Sequence, residues 1–288
     1  MTQLEEQTTD SKPLAGDTPW ALDNLPPFPA VATRLVRMLA QEDVDITKVG
    51  KLIAAEPVFA TRVLQMANSP LFAVTRQVKT ISHAIVVVGL ARVKAITVTR
   101  ALGDFVGPAL SITALRLCWR NTLAGAIVAE KLARACRMDT DFAYVAGLLR
   151  DIGRLALLVK YPESYTNLLA VTREHAFDIR TVERDVFDID HCEAGAWLMQ
   201  RMPFPPELVE VAGHHHDAIV GDSPFGMVQL VRVADRTTDA LGFAVLPSSS
   251  EPTVDEALSE LPEAFRRRVQ FDPRKMTAEI ESRIKTWD

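Results

Sequence analysis

Four of the six histidines lie close together in the second half of the chain, in a pattern that suggests metal binding. They are His191, His214, His215 and His216, and Asp217 follows directly. No His-Glu-x-x-His motif is present, and adjacent residues on a helix point roughly 100° apart, so His215 and His216 are not expected to chelate one ion together. We therefore predict that these side chains cap helix ends or form hydrogen bonds in the core, with no metal and no cofactor.

The segments that must position these histidines are predicted to be helical, because apolar residues recur at helical spacing and strand signals are almost absent. The stretch 78–102 is apolar nearly all round, which predicts buried helices with a break near Gly89. A turn around Gly103 to Pro108 is expected next, before a long helix over 114–137 and a shorter one from Phe142 to Leu149. Further helical patterns cover 154–175, 179–188, 191–202, 205–216 and 224–242.

Composition excludes several classes of protein. The 288 residues are 48% hydrophobic, enough for a packed core, and the net charge of −5 disfavours general attraction to nucleic acid or to anionic lipid. Cys118, Cys136 and Cys192 are far apart in sequence, so neither a disulfide framework nor a cysteine zinc site is expected, as is typical of the cytoplasm. No apolar run approaches the roughly 18 residues of a membrane span. The basic run Arg266-Arg267-Arg268 is interpreted as solvated or ion-paired surface.

A series of short motifs resembles the HDOD domains, which are relatives of the HD-superfamily phosphohydrolases. The resemblance spans about residues 22 to 242. The motifs are Leu25-Pro26-Pro27-Phe28-Pro29, Glu56-Pro57 with Val63-Leu64-Gln65-Met66-Ala67-Asn68-Ser69, Ile81-Ser82-His83-Ala84-Ile85 leading to Val88-Gly89-Leu90, Gly147-Leu148-Leu149-Arg150-Asp151-Ile152-Gly153, His191-Cys192-Glu193-Ala194-Gly195-Ala196, His215-His216, and Ala234-Asp235-Arg236. Each motif is weak alone, whereas their order along the chain is specific.

The resemblance assigns four positions to the metal ligands of active relatives. Those relatives hold divalent metal with an upstream histidine, a consecutive His-Asp pair and a distant aspartate. The corresponding residues here are Asn121, Arg150-Asp151 and Asp235, so two of the four ligands are replaced. Asparagine offers only a neutral carbonyl, and arginine brings a permanent positive charge. The resemblance therefore implies a degenerate site that holds no metal and carries no catalytic residue.

Two arrangements are open for Arg150. Its guanidinium would either occupy the former metal position and pair with Asp151 and Asp235, or turn outward to solvent and leave Asp151 to form hydrogen bonds nearby. We favour the internal ion pair. A further alternative is that Arg150, His191 and the His215-His216 pair form a pocket that binds phosphate or a nucleotide without cleaving it.

The predicted fold class is all-α, a two-lobed multi-helix bundle with an HD-like second lobe and a small helical tail. The expected divisions are a flexible leader at 1–19, an N-terminal helical lobe at 20–107, a degenerate HD-like lobe at 108–245, and a linker with a C-terminal helical tail at 246–288. Asp272 before Pro273 predicts the start of a tail helix. One face of that helix either packs back on the domain or binds a second protein, and its residues are Met276, Ile280, Ile284 and Trp287.

The resemblance implies a non-enzymatic bacterial regulator that acts in the cytoplasm through protein–protein interaction, in cyclic-di-GMP, motility or stress pathways. Its partner would be another signalling protein, such as a response regulator or a diguanylate cyclase, with a homodimer left open. The alternatives are a metal-dependent phosphohydrolase with an altered site, and a nucleotide-binding or nucleic-acid-binding regulator. The cyclic-di-GMP phosphodiesterase branch is disfavoured because no Gly-Tyr-Pro follows the degenerate pair: Gly153 precedes Arg154-Leu155-Ala156.

Overall fold

The computed structural model describes most of the chain, and all regular structure in that part is helical. The described residues are 18–25, 27–28, 30–39, 45–68, 74, 77–107, 110–202, 204–218, 224–246 and 252–285. Most of the predicted leader, the linker residues 247–251 and Trp287 lie outside them. The predicted all-α class is confirmed, and the division into two lobes stays a prediction.

Sixteen α-helices follow one another in the described residues. They are α1 (Ala30–Leu39), α2 (Ile46–Ala54), α3 (Pro57–Ala67), α4 (Ile81–Val88), α5 (Leu90–Val106), α6 (Thr113–Cys136), α7 (Thr140–Leu149), α8 (Ile152–Lys160), α9 (Pro162–His175), α10 (Ile179–Phe187), α11 (His191–Arg201), α12 (Pro206–His214), α13 (Met227–Thr238), α14 (Val254–Ser259), α15 (Glu263–Arg266) and α16 (Pro273–Ile284). A 3₁₀ turn at Trp20–Leu22 precedes them, and a π-helical turn at Asp239–Phe243 extends α13.

The predicted break at Gly89 is confirmed. Gly89 alone separates α4 from α5, and its φ of 92° belongs to a region that residues with a side chain rarely adopt. The two helices bend by 113° relative to each other at this point. Together they have the length and composition of a membrane span, but no single helix in the described residues does.

Two predicted boundaries were wrong. The turn expected around Gly103 to Pro108 begins later than Gly103, because α5 continues to Val106 and buries Phe105 and Val106; Pro108 lies outside the described residues. Burying such side chains stabilises by about 1.5–3 kcal/mol each, which outweighs the roughly 1 kcal/mol that a glycine costs within a helix. The single pattern over 154–175 is two helices, since Pro162 lacks an N–H and begins α9.

The long helix α6 lies at the centre of the second half, where it packs against α7, α8, α13 and α16. Small residues permit the close approach of α7. A Cβ atom added at Gly147 of α7 would lie 3.0 Å from both Ala126 Cα and Ala129 Cβ of α6. This crossing brings the end of α7, where Arg150 and Asp151 follow, against the middle of α6.

Candidate functional site

Arg150 directly follows α7, and its side chain is completely buried. Its Nε lies 2.9 Å from Asp235 Oδ1 of α13 and 3.2 Å from Asp151 Oδ2. Nη1 donates a hydrogen bond to the carbonyl oxygen of Gly147 (2.7 Å), and Nη2 donates one to Asn121 Oδ1 of α6 (2.5 Å). Of the two arrangements considered from the sequence, the structure has the inward ion pair with both carboxylates.

The Asn121 side chain is hydrogen-bonded within the same network. Its Nδ2 donates to Asp239 Oδ1 and to the carbonyl oxygen of Phe243, both at 3.1 Å, while its Oδ1 accepts from Arg150. Sequence reasoning missed Asp239. Its spacing of four residues from Asp235 places both carboxyl groups on one helical face, and this signal could have identified it.

Opposite charges lie close together in this network. Burial alone would raise the pKa of Asp151, but Arg154 and Arg150 outweigh it and hold that pKa well below its usual value. Burial and the nearby Asp235 instead raise the pKa of Asp239 well above its usual value. The Arg150 guanidinium pairs with both Asp151 and Asp235, and the Arg154 guanidinium lies beside Asp151.

His191 adjoins this network at the first position of α11. Asp190 and Glu193 form a capping box there, so the helix start and the orientation of His191 are locally determined. The buried His191 ring has Nδ1 2.6 Å from Glu183 Oε2, and its backbone N–H donates to the same oxygen at 2.9 Å. The Tyr165 hydroxyl donates to the other Glu183 oxygen.

These contacts assign the tautomer of His191. With Nδ1–H donated to the carboxylate, Nε2 keeps its lone pair, which accepts from Arg154 Nη2 at 3.1 Å and faces His216 Nε2 at 3.0 Å. Arg154 Nη1 lies 3.5 Å from Asp151 Oδ1 and so joins the histidines to the ion-pair network. Sequence reasoning had not given Arg154 a role at the site.

The expected hydrogen bonding at a helix end is confirmed for His215, whose Nδ1 lies 3.1 Å from the carbonyl oxygen of Val211 and 3.2 Å from that of Ala212 in α12. The expectation that the adjacent rings point apart was wrong, because the His215 and His216 ring centroids lie 4.2 Å apart just beyond the end of α12. His215 Nε2 lies 3.6 Å from Asp151 Oδ1, and neither atom has a hydrogen-bond partner. Burial, together with His215 and His191, holds the pKa of His216 well below its usual value.

The residues around Asp151 and Asp235 do not fit a divalent ion between these two carboxylates. The Arg150 guanidinium lies there, and Asn121 Oδ1 accepts a hydrogen bond from it. The histidines are a separate case. The ligand atoms of His191, Cys192, His215 and His216 lie within 4.8 Å of one another. However, Arg154 already donates to His191, and burial raises the pKa of the Cys192 thiol far above neutrality, which disfavours a thiolate ligand.

The predicted tail face lies apart from this cluster. Met276, Ile280 and Ile284 are buried, and α16 packs against α6. Glu281 Oε1 of α16 lies 2.6 Å from Arg120 Nη2 of α6. In the described residues the face therefore packs on the domain, the first of the two options considered.

The chain is similar to known proteins over most of its length. A family model described as HDOD domain matches residues 25–218. A protein of Treponema pallidum (strain Nichols), named as uncharacterized, is 24% identical over 216 residues, which are 74% of this chain and 42% of that protein. The chain thus spans less than half the length of that relative.

Solved structures share the fold. An HDOD domain protein of unknown function from Geobacter sulfurreducens is 26% identical with a TM-score of 0.68, and 91% of each chain is covered. A Shewanella amazonensis SB2B protein whose name proposes a phosphohydrolase has 22% identity and a TM-score of 0.65, again with 91% of each chain covered. A Marinobacter aquaeolei VT8 protein whose name proposes signal transduction has 19% identity and a TM-score of 0.64, covering 91% of this chain and 57% of that one.

The last two structures, at these identities, show the fold alone. The match of the family model is stronger evidence, because it covers well over half of the chain and includes the motifs around Arg150, His191 and His215. The predicted family is confirmed. This chain belongs to the HDOD domain family.

Proposed function

We propose that this protein is a non-catalytic regulator in bacterial signalling, which acts in the cytoplasm through contact with other proteins. The main support is the position of Arg150, whose Nε lies 2.9 Å from Asp235 Oδ1 and 3.2 Å from Asp151 Oδ2. The resemblance to HD-superfamily enzymes implies that active relatives hold a divalent ion with the corresponding carboxylates. In this chain a guanidinium supplies the positive charge.

Electrostatics disfavours metal at this position. A divalent ion about 4 Å from a guanidinium is repelled by on the order of 8 kcal/mol at an effective dielectric constant of about 20. Turning Arg150 away would break its hydrogen bonds to Gly147 and Asn121 and leave a buried cation unpaired. Metal-dependent hydrolysis requires a metal-activated water, which these residues would not support.

One observation favours a second candidate, a metal-dependent phosphohydrolase with an altered site. The ligand atoms of His191, His215 and His216 converge, and the neutral imidazole that a lowered pKa favours at His216 is the form that binds metals. A metal there would have to displace Arg154 from its position 3.1 Å from His191 Nε2. We rank this candidate second because the Arg154 guanidinium already lies beside these histidines.

Metal content and hydrolysis distinguish the two candidates. Protein purified without chelator would be analysed by elemental mass spectrometry, titrated with manganese and zinc by calorimetry, and assayed on nucleotides and cyclic dinucleotides. We expect substoichiometric metal and no turnover. Stoichiometric metal, together with turnover that Asp151→Ala abolishes while circular dichroism stays unchanged, would overturn the proposal.

A restored ligand set provides a matched gain-of-binding test. The double variant Asn121→His/Arg150→His would restore histidine at both replaced ligand positions and remove the guanidinium cation. We expect it to bind manganese more tightly than the wild type. The matched variant Asn121→His/Arg150→Lys keeps the positive charge and should not gain affinity. Equal affinity of wild type and both variants would show that Arg150 does not control metal binding.

The proposed partner is another signalling protein, such as a response regulator or a diguanylate cyclase. Purified candidates from the same host would be tested by biolayer interferometry, and light scattering would measure self-association. Nucleic-acid binding predicts affinity that falls steeply with salt and is lost when Arg266, Arg267 and Arg268 are neutralised. We expect protein binding without that salt-dependent component.

A further inference from the structure

A cavity of about 580 Å³ lies away from the buried polar cluster, between the N-terminal segment, α1 and α11. Its volume falls within the range typical of small-molecule sites, roughly 300–1,000 Å³. Apolar side chains from distant parts of the chain form its wall, among them Leu22, Phe28, Phe105, Trp197 and Leu198. A ligand with an apolar body would therefore be shielded from water here.

The wall is well supported. The Phe28 ring lies 6.0 Å from Phe105 of α5 and 5.9 Å from Phe204, measured between ring centroids, so the N-terminal segment is fixed against two other elements. Trp197 contacts Arg201 one turn along α11, with the guanidinium carbon 4.1 Å from the ring centroid. These contacts give the cavity a preformed shape, which lowers the ordering cost of binding.

The charge at this cavity is opposite to that of the whole protein. The chain has a net charge of −5, yet the described residues that line the cavity include Arg34, Arg37 and Arg201 and no aspartate or glutamate. Arg34 and Arg37 are exposed and three residues apart on α1, so both side chains lie on the same edge of the cavity. Guanidinium groups bind carboxylates through paired hydrogen bonds.

From this combination we infer that the cavity binds an amphipathic carboxylate, with its hydrocarbon body against Phe28, Trp197 and Leu198 and its carboxylate at Arg34 and Arg37. The site is independent of the proposed regulatory function and of the Arg150 network. Such a ligand would be a small-molecule input to the protein. Ile152, which also lines the cavity, directly follows Asp151 in the sequence.

Calorimetry with decanoate, used below its micelle-forming concentration, tests this inference on the full chain. We expect one-to-one binding to the wild type and binding at least about fivefold weaker for 1-decanol, which has the same chain without the charge. The double variant Arg34→Gln/Arg37→Gln should weaken decanoate binding about tenfold and leave 1-decanol unaffected, since one charge-assisted interaction contributes about 1.5 kcal/mol.

Two controls locate the site. The variant Arg173→Gln/Arg274→Gln removes the same charge from exposed positions elsewhere and should bind decanoate as the wild type does. Decanoate should also change tryptophan fluorescence in the wild type, and Trp197→Phe should remove most of that change. The inference is overturned if decanoate does not bind, if 1-decanol binds equally well, or if both arginine double variants lose affinity equally.

Discussion

The guanidinium of Arg150 packs directly on the Cα atom of Gly125 in α6, so a Cβ atom at position 125 would lie 2.6 Å from Arg150 Cζ. Glycine is therefore required at this point of an otherwise regular helix. Any larger residue would push the guanidinium away from Asp151 and Asp235. The geometry links the packing of α6 to the ion pair on which the proposed function rests.

The first prediction concerns this contact. Gly125→Ala improves helix propensity by about 1 kcal/mol, but it forces a buried and fully bonded guanidinium to move, so we expect a net destabilisation of about 2 kcal/mol in urea unfolding. Gly103→Ala is the matched control, because its Cβ would lie 3.6 Å from Trp119 in ordinary contact. That variant should be unchanged or more stable. Equal effects of both substitutions would contradict the predicted contact.

The second prediction is a pH dependence. Arg154 and Arg150 outweigh burial and lower the pKa of Asp151 in the folded chain, so this carboxylate stabilises the protein above its unfolded pKa of about 4 and loses that contribution as the pH falls. Arg150→Met removes the guanidinium partner of the buried Asp235 and leaves Asp151 with Arg154 alone, which should cost about 3–5 kcal/mol near neutral pH.

Protonation of the carboxylates in the variant relieves this penalty, so the free-energy difference between Arg150→Met and the wild type should narrow as the pH is lowered from about 6 to about 3. Most of the narrowing is expected below the unfolded pKa of about 4, where the wild type begins to lose the contribution of ionised Asp151. Chemical unfolding followed by circular dichroism at several pH values measures this difference in the free energy of unfolding. Arg173→Met, at an exposed position on α9, should show little change at any pH. A difference for Arg150→Met that stays constant across this range would refute the electrostatic explanation.

The third prediction concerns Glu183, which accepts hydrogen bonds from the His191 backbone, the His191 ring and the Tyr165 hydroxyl. Glu183→Gln replaces one accepting oxygen with a donating amide group, which must face a donor in a buried site. We expect a loss of about 2–3 kcal/mol in the free energy of unfolding. Glu174→Gln, on the exposed side of α9, is the control. Similar stability of both variants would show that the hydrogen bonds of Glu183 contribute little to the free energy of unfolding.

The fourth prediction tests whether the tail is a docked part of the domain. Ile280 is fully buried in α16, and Arg283 forms an ion pair with Glu130 of α6 at 2.8 Å. Ile280→Asp would bury an unpaired charge, so α16 should detach and its amide hydrogens should exchange faster in hydrogen–deuterium exchange. Ala278→Asp introduces the same residue on the exposed face and should leave exchange nearly unchanged. Slow exchange of α16 in Ile280→Asp would contradict docking.

Local signals in the sequence predicted much of the fold. Helical spacing gave the long helix α6, Gly89 marked the break between α4 and α5, and Asp272 accepts a hydrogen bond from the Lys275 N–H at the start of α16. Each signal acts within one or two turns of chain, where propensity and capping decide the outcome. At Gly103, tertiary burial of Phe105 overrode the local signal.

Residue identities alone determined that the predicted ligand positions hold Asn121 and Arg150, and that the chain belongs to a helical family. Only the tertiary structure decided the direction of the Arg150 side chain, the turn that brings His215 and His216 beside His191, and the inclusion of Asp239 and Arg154. Arg150 and Asp235 are 85 residues apart in sequence. Contacts across such separations depend on how the helices pack. Only that packing brings the buried Arg150 guanidinium next to the carboxylates that pair with it, and an unpaired buried charge would be unfavourable.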